Sequence, residues 1–190
     1  MSLKELRAPV LTDRFRLEPV SRWRAFRLSY GWTKDTELIR SYTGSAAPRS
    51  PWKWYREMTR PNNRTKFAHA IIPHGQDDPI GLHFTEIKPY RSAYLAIVIS
   101  DRSWWGSQAV QEVRRSMIPH LFANAPVDRL AGYIRARNFS SIFNYQKLGF
   151  RHVGTLHRIK QDPVSGEVHD MLIFELFRDE WDKPKEADHA

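Results

Sequence analysis

The chain of 190 residues contains no cysteine. Structural disulfides, thiolate metal sites and cysteine nucleophiles are therefore excluded, and a cytoplasmic location fits this composition. The sequence has no stretch near the ~18 apolar residues of a membrane helix, and its first residues lack an apolar signal segment. We therefore expect no membrane association. Like charges form no long run, which argues against a dedicated arm for nucleic acid, and no specific nucleic-acid partner is expected.

What the chain does contain is enough apolar material for a folded core. Hydrophobic residues make up 41% and aromatic residues 13% of the sequence. This composition and length predict one domain over residues 1–190, with a core from about 11 to 181, a short flexible N-terminus and a charged C-terminal tail. The monomer and the homodimer both remain open.

Basic residues exceed acidic ones, with 30 Lys and Arg against 21 Asp and Glu and a formal net charge of +9. Such a surface favours anionic partners, among them polyphosphate cofactors, ribosomes and nucleic acid. A solvated basic surface without a specific partner is the alternative.

Hydrophobic periodicity predicts a layered domain. We expect strands at 14–20, 66–73, 79–88, 93–100, 129–135, 150–160 and 167–177. Helices are expected after Ser21, over about Trp52 to Thr59, after Gly106 and over 140–148, and Pro119 should kink or end the third of them near Ile118. This order indicates a mixed sheet with helices on its faces, an α/β or α+β domain.

A glycine-containing turn, Trp104 to Ala109, follows a buried strand and opens a helix. The first N–H groups of a helix have no intrahelical partner and attract anions, and Gly106 lets a phosphate approach the backbone closely. A structural turn without a ligand is the alternative.

A second motif runs from Asn138 to Phe150. Asn138 can contact a ligand that carries amide groups or can cap the following helix, and Ser141 has the same two options with capping favoured. Tyr145 shares a helix face with Ser141, and a phenol can give its proton to a departing thiolate. Packing of Tyr145 in the core is the alternative.

An amine that attacks a thioester must be neutral, so a nearby carboxylate can assist as a base. Glu86 is the first candidate because strand alternation places it on the same face as Phe84. Asp101 and Glu112 are weaker candidates, and His157 or His169 could line an acceptor site. No cluster of His, Asp and Glu has the spacing of a metal site, so no metal is expected.

These motifs resemble those of GNAT-superfamily N-acyltransferases, in particular the branch of RimJ/RimL-type protein N-terminal acetyltransferases. The resemblance runs from about Leu11 to Trp181 and is strongest at 97–106, 138–150 and 165–170. It implies a mixed, mostly antiparallel central sheet of six to seven strands with helices on both faces. The strands matching 93–100 and 129–135 would splay apart and receive the pantetheine arm of acetyl-CoA.

The resemblance also implies roles for single residues. Asn138 would contact the pantetheine arm and Tyr145 would protonate the leaving thiolate. The backbone pairing with pantetheine and the pyrophosphate site would fall on Ile97, Val98, Ile99, Gly106, Ser107, Gln108, Ala109 and Val110. The family usually has glycine where this chain has Gln108 and often a basic residue where it has Ser107, so CoA affinity could be weakened.

The first interpretation is therefore an N-acetyltransferase that moves acetyl from acetyl-CoA to a primary amine by direct attack in a ternary complex. The acceptor would be a protein N-terminus, including that of a ribosomal protein. The alternatives are a non-catalytic or altered-donor acyl-CoA-binding module, an acetyltransferase for a small amine, and a basic RNA-associated protein without a CoA site.

Overall fold

One mixed sheet of eight strands organises the part of the chain that the structure describes. The computed structural model describes residues 3–43, 45, 47, 49–57, 61–162 and 164–182. The strands are β1 (Val10–Leu11), β2 (Phe15–Pro19), β3 (Lys66–Pro73), β4 (Gly81–Lys88), β5 (Ser92–Ile99), β6 (Arg129–Arg135), β7 (Arg151–Gln161) and β8 (Val168–Phe177). Their order across the sheet is β1-β2-β3-β4-β5-β6-β8-β7, and among these described strands only the pair β5 and β6 is parallel.

Helices cover both faces of this sheet. They are α1 (Arg22–Tyr30), α2 (Thr36–Thr43), α3 (Pro51–Glu57), α4 (Ala109–Asn124), α5 (Phe139–Lys147) and α6 (Arg178–Trp181), with short 3₁₀ turns at Leu3–Arg7, Gly31–Lys34 and Arg102–Trp104. Apolar side chains of α1, α2 and α3 pack on one face of β3, β4 and β5, and those of α4 and α5 pack on the other. The expected α/β class with a mostly antiparallel sheet is confirmed.

Three details differ from the sequence expectation. The sheet has eight strands instead of six to seven, because Val10–Leu11 is too short to show a period-two pattern. The 3₁₀ turn Leu3–Arg7 places Leu6 in the core with 2% of its surface exposed, so the core begins before residue 11. The described part of helix α3 is Pro51–Glu57, and its expected end at Thr59 lies outside the described residues, as does the tail 183–190.

Helix α4 is the third difference, because it does not end at Ile118. It continues through Pro119 to Asn124. Pro119 lies on the exposed side, while Ile118, Leu121 and Phe122 stay buried against the sheet. Burial of these side chains outweighs the single hydrogen bond that proline cannot donate.

The parallel pair β5 and β6 separates after three residue pairs. Ser92, Ala93 and Tyr94 pair with Arg129, Leu130 and Ala131. Beyond Tyr94, β5 continues to Ile99 and β6 to Arg135 without a ladder between them. A wedge therefore opens in the middle of the sheet, with unpaired backbone groups of β5 along one side.

Glu112 ties helix α4 to the loop between β1 and β2. Its carboxylate accepts hydrogen bonds from the Thr12 hydroxyl at 2.6 Å, the Arg14 backbone N–H at 2.7 Å and the Arg14 Nε at 2.6 Å. Burial alone would raise the pKa of Glu112, but these donors together lower it below its usual value. The side chain serves the fold, since it faces the loop at Thr12 and Arg14.

Glu112→Gln is expected to lower the free energy of unfolding by about 1–2 kcal/mol at pH 7, because charged hydrogen bonds are replaced by neutral ones. A carboxyl with a depressed pKa stabilises the fold above its unfolded pKa, and this contribution is lost as the pH falls through the folded pKa. The difference between wild type and variant in urea unfolding should therefore vanish in acid. The exposed Asp78→Asn is the control. A difference that is constant from pH 7 to pH 3 would contradict this assignment.

Candidate active site

A cavity of about 1040 Å³ fills the wedge between β5 and β6. Its walls come from β5, β6, the start of α4, helix α5 and one end of α2. Among the residues that the resemblance singled out, Ile97, Val98, Ile99, Gly106, Gln108, Ala109, Val110, Asn138, Ser141 and Tyr145 line it. Ser107 and Glu86 do not belong to the lining.

The N-terminus of helix α4 is open toward this cavity. Gly106 and Gln108 both have positive φ angles, +75° and +63°, and Gln108 is the N-cap residue without a side-chain capping bond. Two side chains hold the turn in place, because Arg14 Nη2 donates to the Ser107 carbonyl at 2.9 Å and Trp105 Nε1 donates to the Ile99 carbonyl at 3.0 Å. The uncapped N–H groups of the first turn are thus available to an anion.

Gln108 adopts a left-handed backbone conformation that favours glycine. A non-glycine residue there costs roughly 1 kcal/mol or more. Gln108→Gly should therefore raise the free energy of unfolding by up to about 1 kcal/mol, and Gln108→Val should lower it, because a β-branched side chain fits this region poorly. Chemical denaturation of the two variants beside wild type measures both effects. Equal stabilities of the Gly and Val variants would contradict the strain at this position.

Asn138 and Ser141 meet at the start of helix α5. The Asn138 Oδ1 accepts from the Ser141 backbone N–H at 3.2 Å and from the Ser140 hydroxyl at 3.1 Å. Asn138 is therefore the N-cap of α5, and the cap occupies only its oxygen. Both residues also border the cavity, so capping and ligand contact are compatible at Asn138. The expectation that Ser141 caps the helix is wrong, because Ser141 lies inside the first turn and donates its backbone N–H to the Asn138 cap.

Tyr145 lies at the point where the two strands separate. Its hydroxyl donates to the backbone carbonyl of Leu95 at 3.0 Å. Leu95 is the first residue of β5 beyond the ladder with β6. The ring is 4% exposed and packs on Phe150 and Phe174. Gly132 makes room for it, since a Cβ there would lie 2.4 Å from the phenol oxygen. The phenol is thus fixed at the narrow end of the cavity.

The charged side chains that line the cavity are all basic. They are Arg114, Arg115, Arg135, Lys147 and Lys160. Tyr42, from α2, lies on another wall, and burial raises its pKa to about 12, so its hydroxyl stays neutral. This lining favours an anionic ligand and opposes a polycation.

Glu86 lies outside the cavity in an ion-pair cluster. The Nζ atoms of Lys66 and Lys88 each lie 2.8 Å from its Oε1. Burial would raise the pKa of Glu86, but the hydrogen bonds and charges of these lysines lower it below its usual value. A carboxylate held in this way is a weak base.

The other polar candidates also lie away from the cavity. Asp101 accepts from the backbone N–H and hydroxyl of Ser103 at 2.9 and 2.7 Å and caps the turn before α4. His157 pairs with Asp170 at 3.0 Å, and His169 lies 3.9 Å from Glu167. Within the described ranges, no group of three or more His, Asp and Glu is arranged to hold a metal ion, and no helix has the length and apolarity of a membrane span.

A family profile described as "Acetyltransferase (GNAT) domain" matches residues 14–151. The chain belongs to the GNAT acetyltransferase family. The expected family and enzyme class, an acyl-CoA-dependent N-acetyltransferase, are thereby confirmed. GNAT enzymes take their acyl group from acetyl-CoA, which fits the anion-binding turn and the basic lining of the cavity. The chain has no match among curated proteins.

Solved structures of GNAT enzymes share the fold at low identity. The ribosomal-protein-S5-alanine acetyltransferase of Vibrio fischeri has a TM-score of 0.73 and 14% identity over 93% of this chain and 100% of that one. The Salmonella typhimurium acetyltransferase that modifies the N-terminal serine of ribosomal protein L7/L12 has a TM-score of 0.73 and 13% identity over 90% and 99%. Spermidine N-acetyltransferase of Vibrio cholerae, in complex with CoA and spermine, has a TM-score of 0.73 and 15% identity over 88% and 97%.

Several residues of this GNAT site were not foreseen from the sequence. Gly132 and Leu95 position Tyr145, and their contacts come from strand pairing and helix docking that no local pattern encodes. Arg114 did have a local signal, because it follows Val110 by four residues and so lies on the apolar stripe of α4. A charged residue on such a stripe is unusual, and the structure buries it.

Proposed function

We propose that this GNAT enzyme transfers the acetyl group of acetyl-CoA to the α-amino group of a protein N-terminus. The observation that carries the proposal is the cavity between β5 and β6, which connects the open N-terminus of α4 to the Tyr145 hydroxyl. A phosphate site at one end and a fixed proton donor at the other suit a thioester donor that carries a pyrophosphate.

In this proposal, different walls of the cavity bind different parts of acetyl-CoA. The backbone N–H groups around Gly106, Gln108, Ala109 and Val110 would hold the pyrophosphate, and the unpaired edge of β5 at Ile97, Val98 and Ile99 would bind the amides of pantetheine. Asn138 and Ser141 would contact the same arm from the opposite wall. Arg115, Arg135, Lys147 and Lys160 supply positive charge for the phosphates. Ser107 takes part through its position in the turn only.

The thioester supplies an activated acyl carbonyl. The acceptor amine attacks this carbonyl directly, so that the C–N bond forms and the C–S bond breaks. Tyr145 gives its phenolic proton to the departing thiolate, which leaves as the thiol, and its phenolate regains a proton from water. The amine loses its surplus proton to water, because no described carboxylate lines the cavity. Glu86, paired with two lysines, is not assigned a role in this scheme.

The charged residues of the cavity lining favour one class of acceptor amine. An α-amino group has a pKa of about 8 and is partly neutral at pH 7, whereas a lysine side chain at about 10.4 is almost fully charged. Without a base in the cavity, the α-amino group is the better nucleophile. The net charge of +9 also suits an acceptor carried by a ribosomal protein, as in two of the structural neighbours. A cytoplasmic enzyme, as a monomer or a homodimer, fits this role.

A panel of acceptors tests the proposal. Acetyl transfer from acetyl-CoA is measured with three acceptors. The first is a neutral peptide with a free α-amino group, the second is a peptide with a blocked α-amino group and an internal lysine, and the third is spermidine. We expect turnover with the first only. Preferential turnover of spermidine would move the acceptor class to small amines, and preferential turnover of the blocked peptide would move it to lysine side chains.

Gln108 favours a second candidate function, the binding of acyl-CoA without transfer or the use of another donor. Its side chain occupies a place where the family usually has glycine, and its backbone is strained. A GNAT-like module that binds acyl-CoA without transferring the acyl group, or that uses another donor, would follow if CoA bound but no acceptor in the panel were acetylated.

A further inference from the structure

Helix α4 buries a positive charge that has no counter-ion among the residues that the structure describes. Arg114 is 3% exposed, and its Nε and Nη1 atoms have no hydrogen-bond partner. It forms no ion pair with any carboxylate of the described ranges. Its guanidinium carbon lies 4.1 Å from the centre of the Tyr145 ring, and the residue lines the cavity.

The buried histidines of the neighbouring strands do not neutralise Arg114. His83, on β4, is completely buried, and both of its ring nitrogens lack partners. Burial, followed by the charges of His69 and Arg114, lowers the pKa of His83 well below its usual value, so its imidazole is neutral at pH 7. Burial likewise lowers the pKa of His69, on the adjacent strand, to about 4. Among the described residues, the cluster under α4 therefore holds one cation that has no carboxylate partner and whose observed contact is with the Tyr145 ring.

An uncompensated buried cation is costly, and a well-packed apolar side chain would avoid that cost. Val110, Val113 and Met117 supply such side chains on the same helix. Burial of Arg114 therefore costs more free energy than burial of these apolar neighbours, unless an anion pairs with it in the bound state. The cavity is the route by which an anion can reach it.

We propose that Arg114 binds a carboxylate at the far end of the donor's acyl chain. The enzyme then accepts a short dicarboxylic acyl-CoA, with succinyl-CoA as the fitting length, in addition to acetyl-CoA. The inference rests on the proposed function, because it places the thioester beside the Tyr145 hydroxyl.

Distance and position favour an acyl carboxylate over a phosphate as this anion. A four-carbon diacyl group spans roughly 4 Å from its thioester carbon to its carboxylate carbon, so a donor whose thioester lies beside the Tyr145 hydroxyl can extend its carboxylate toward the guanidinium that lies over the same ring. The phosphate site lies at the helix end near Gly106, while Arg114 stands five residues beyond Ala109, roughly 7.5 Å farther along the axis. A guanidinium can hold a carboxylate through two parallel hydrogen bonds.

The transfer step is the same as with acetyl. The amine attacks the thioester carbonyl, the C–N bond forms, the C–S bond breaks, and Tyr145 protonates the thiolate. The product is an amide that carries a free carboxylate, together with CoA. No further reactant is needed, and the carboxylate on Arg114 remains unchanged throughout.

The test compares kcat/KM for acetyl-CoA, butyryl-CoA and succinyl-CoA with one acceptor. Butyryl-CoA has the same four carbons as succinyl-CoA without the carboxylate. We expect wild type to prefer succinyl-CoA over butyryl-CoA by about 10- to 100-fold, which is the range for a charged hydrogen-bonded pair. Arg114→Met should abolish this ratio. Arg115→Met, at the exposed neighbouring position, should change all three values by a common factor and preserve the ratio.

Two results would overturn the inference. One is a wild-type enzyme that uses butyryl-CoA as well as or better than succinyl-CoA. The other is an Arg114→Met variant that loses all three donors by a common factor, which would give Arg114 a role in supporting Tyr145. The wild-type comparison holds even if the variant is unstable. Binding of free CoA, which has no acyl group, separates failure of this inference from failure of the proposed function.

Discussion

Tyr145→Phe is expected to lower kcat by about 100-fold or more, within the range for loss of a general acid. The variant keeps the ring that packs on Phe150 and Phe174 but loses the proton that the departing thiolate needs. The dissociation constant of acetyl-CoA should change much less. Steady-state kinetics combined with calorimetric titration of acetyl-CoA measures both quantities.

Tyr94→Phe is the matched control for this substitution. Its hydroxyl bonds to another tyrosine, Tyr133, at 3.1 Å, and Tyr94 does not line the cavity. Both variants lose one tyrosine hydrogen bond, and each loss is worth about 1 kcal/mol of stability. The variants should therefore have similar thermal stabilities and very different kcat values. A Tyr145→Phe enzyme with wild-type kcat would remove the phenol from the mechanism.

Gly132→Ala is expected to displace Tyr145 without touching the cofactor site directly. The new Cβ would lie 2.3 Å from Tyr145 Cε1 and 2.4 Å from its hydroxyl oxygen, so the ring must move. The hydrogen bond to Leu95 is then lost. We expect a loss of about 1–3 kcal/mol in stability from overpacking and a kcat reduced at least about 10-fold because the proton donor is misplaced.

Gly154→Ala provides the comparison, because a Cβ there meets only Ile173 Cδ1, at 3.9 Å. Its stability and kcat should stay near those of wild type. If Gly132→Ala retained full kcat at temperatures where it is folded, the position of the Tyr145 ring would not control turnover.

Most of the fold was predictable from local patterns. Strands β2 to β6 and β8 are at least five residues long and show alternating or continuous apolar residues, which is long enough for a periodic signal, whereas the apolar residues of β7 recur every third position. Gly149 follows the end of α5 with a φ of +87°, and a glycine just after the end of a helix is a local stop signal that the sequence shows. The two-residue β1 and the passage of α4 through Pro119 depend on tertiary packing, and the sequence pattern does not encode it.

The candidate site, like the fold, has features that are local in sequence and features that depend on tertiary packing. The turn before α4, the Asn138 cap and the place of Tyr145 on its helix are local features, so motif spacing was enough to predict where they lie. The surroundings of Glu86 are not local. Strand alternation predicted that Glu86 shares a face with Phe84, but it could not show that the strand register sets Lys66 opposite Glu86. Lys88 lies two residues along the same face and also pairs with Glu86. The burial of Arg114 over Tyr145 also depends on how α4 and α5 dock.

The central claim is that the wedge between β5 and β6 binds acetyl-CoA, and titration calorimetry with CoA and acetyl-CoA tests it most directly. We predict a dissociation constant in the micromolar range, about −8 kcal/mol, for both ligands. We also predict weaker binding by Gly106→Val, which places a side chain at the phosphate site. Absence of binding at millimolar ligand, or full affinity in Gly106→Val, would contradict this account of the cavity.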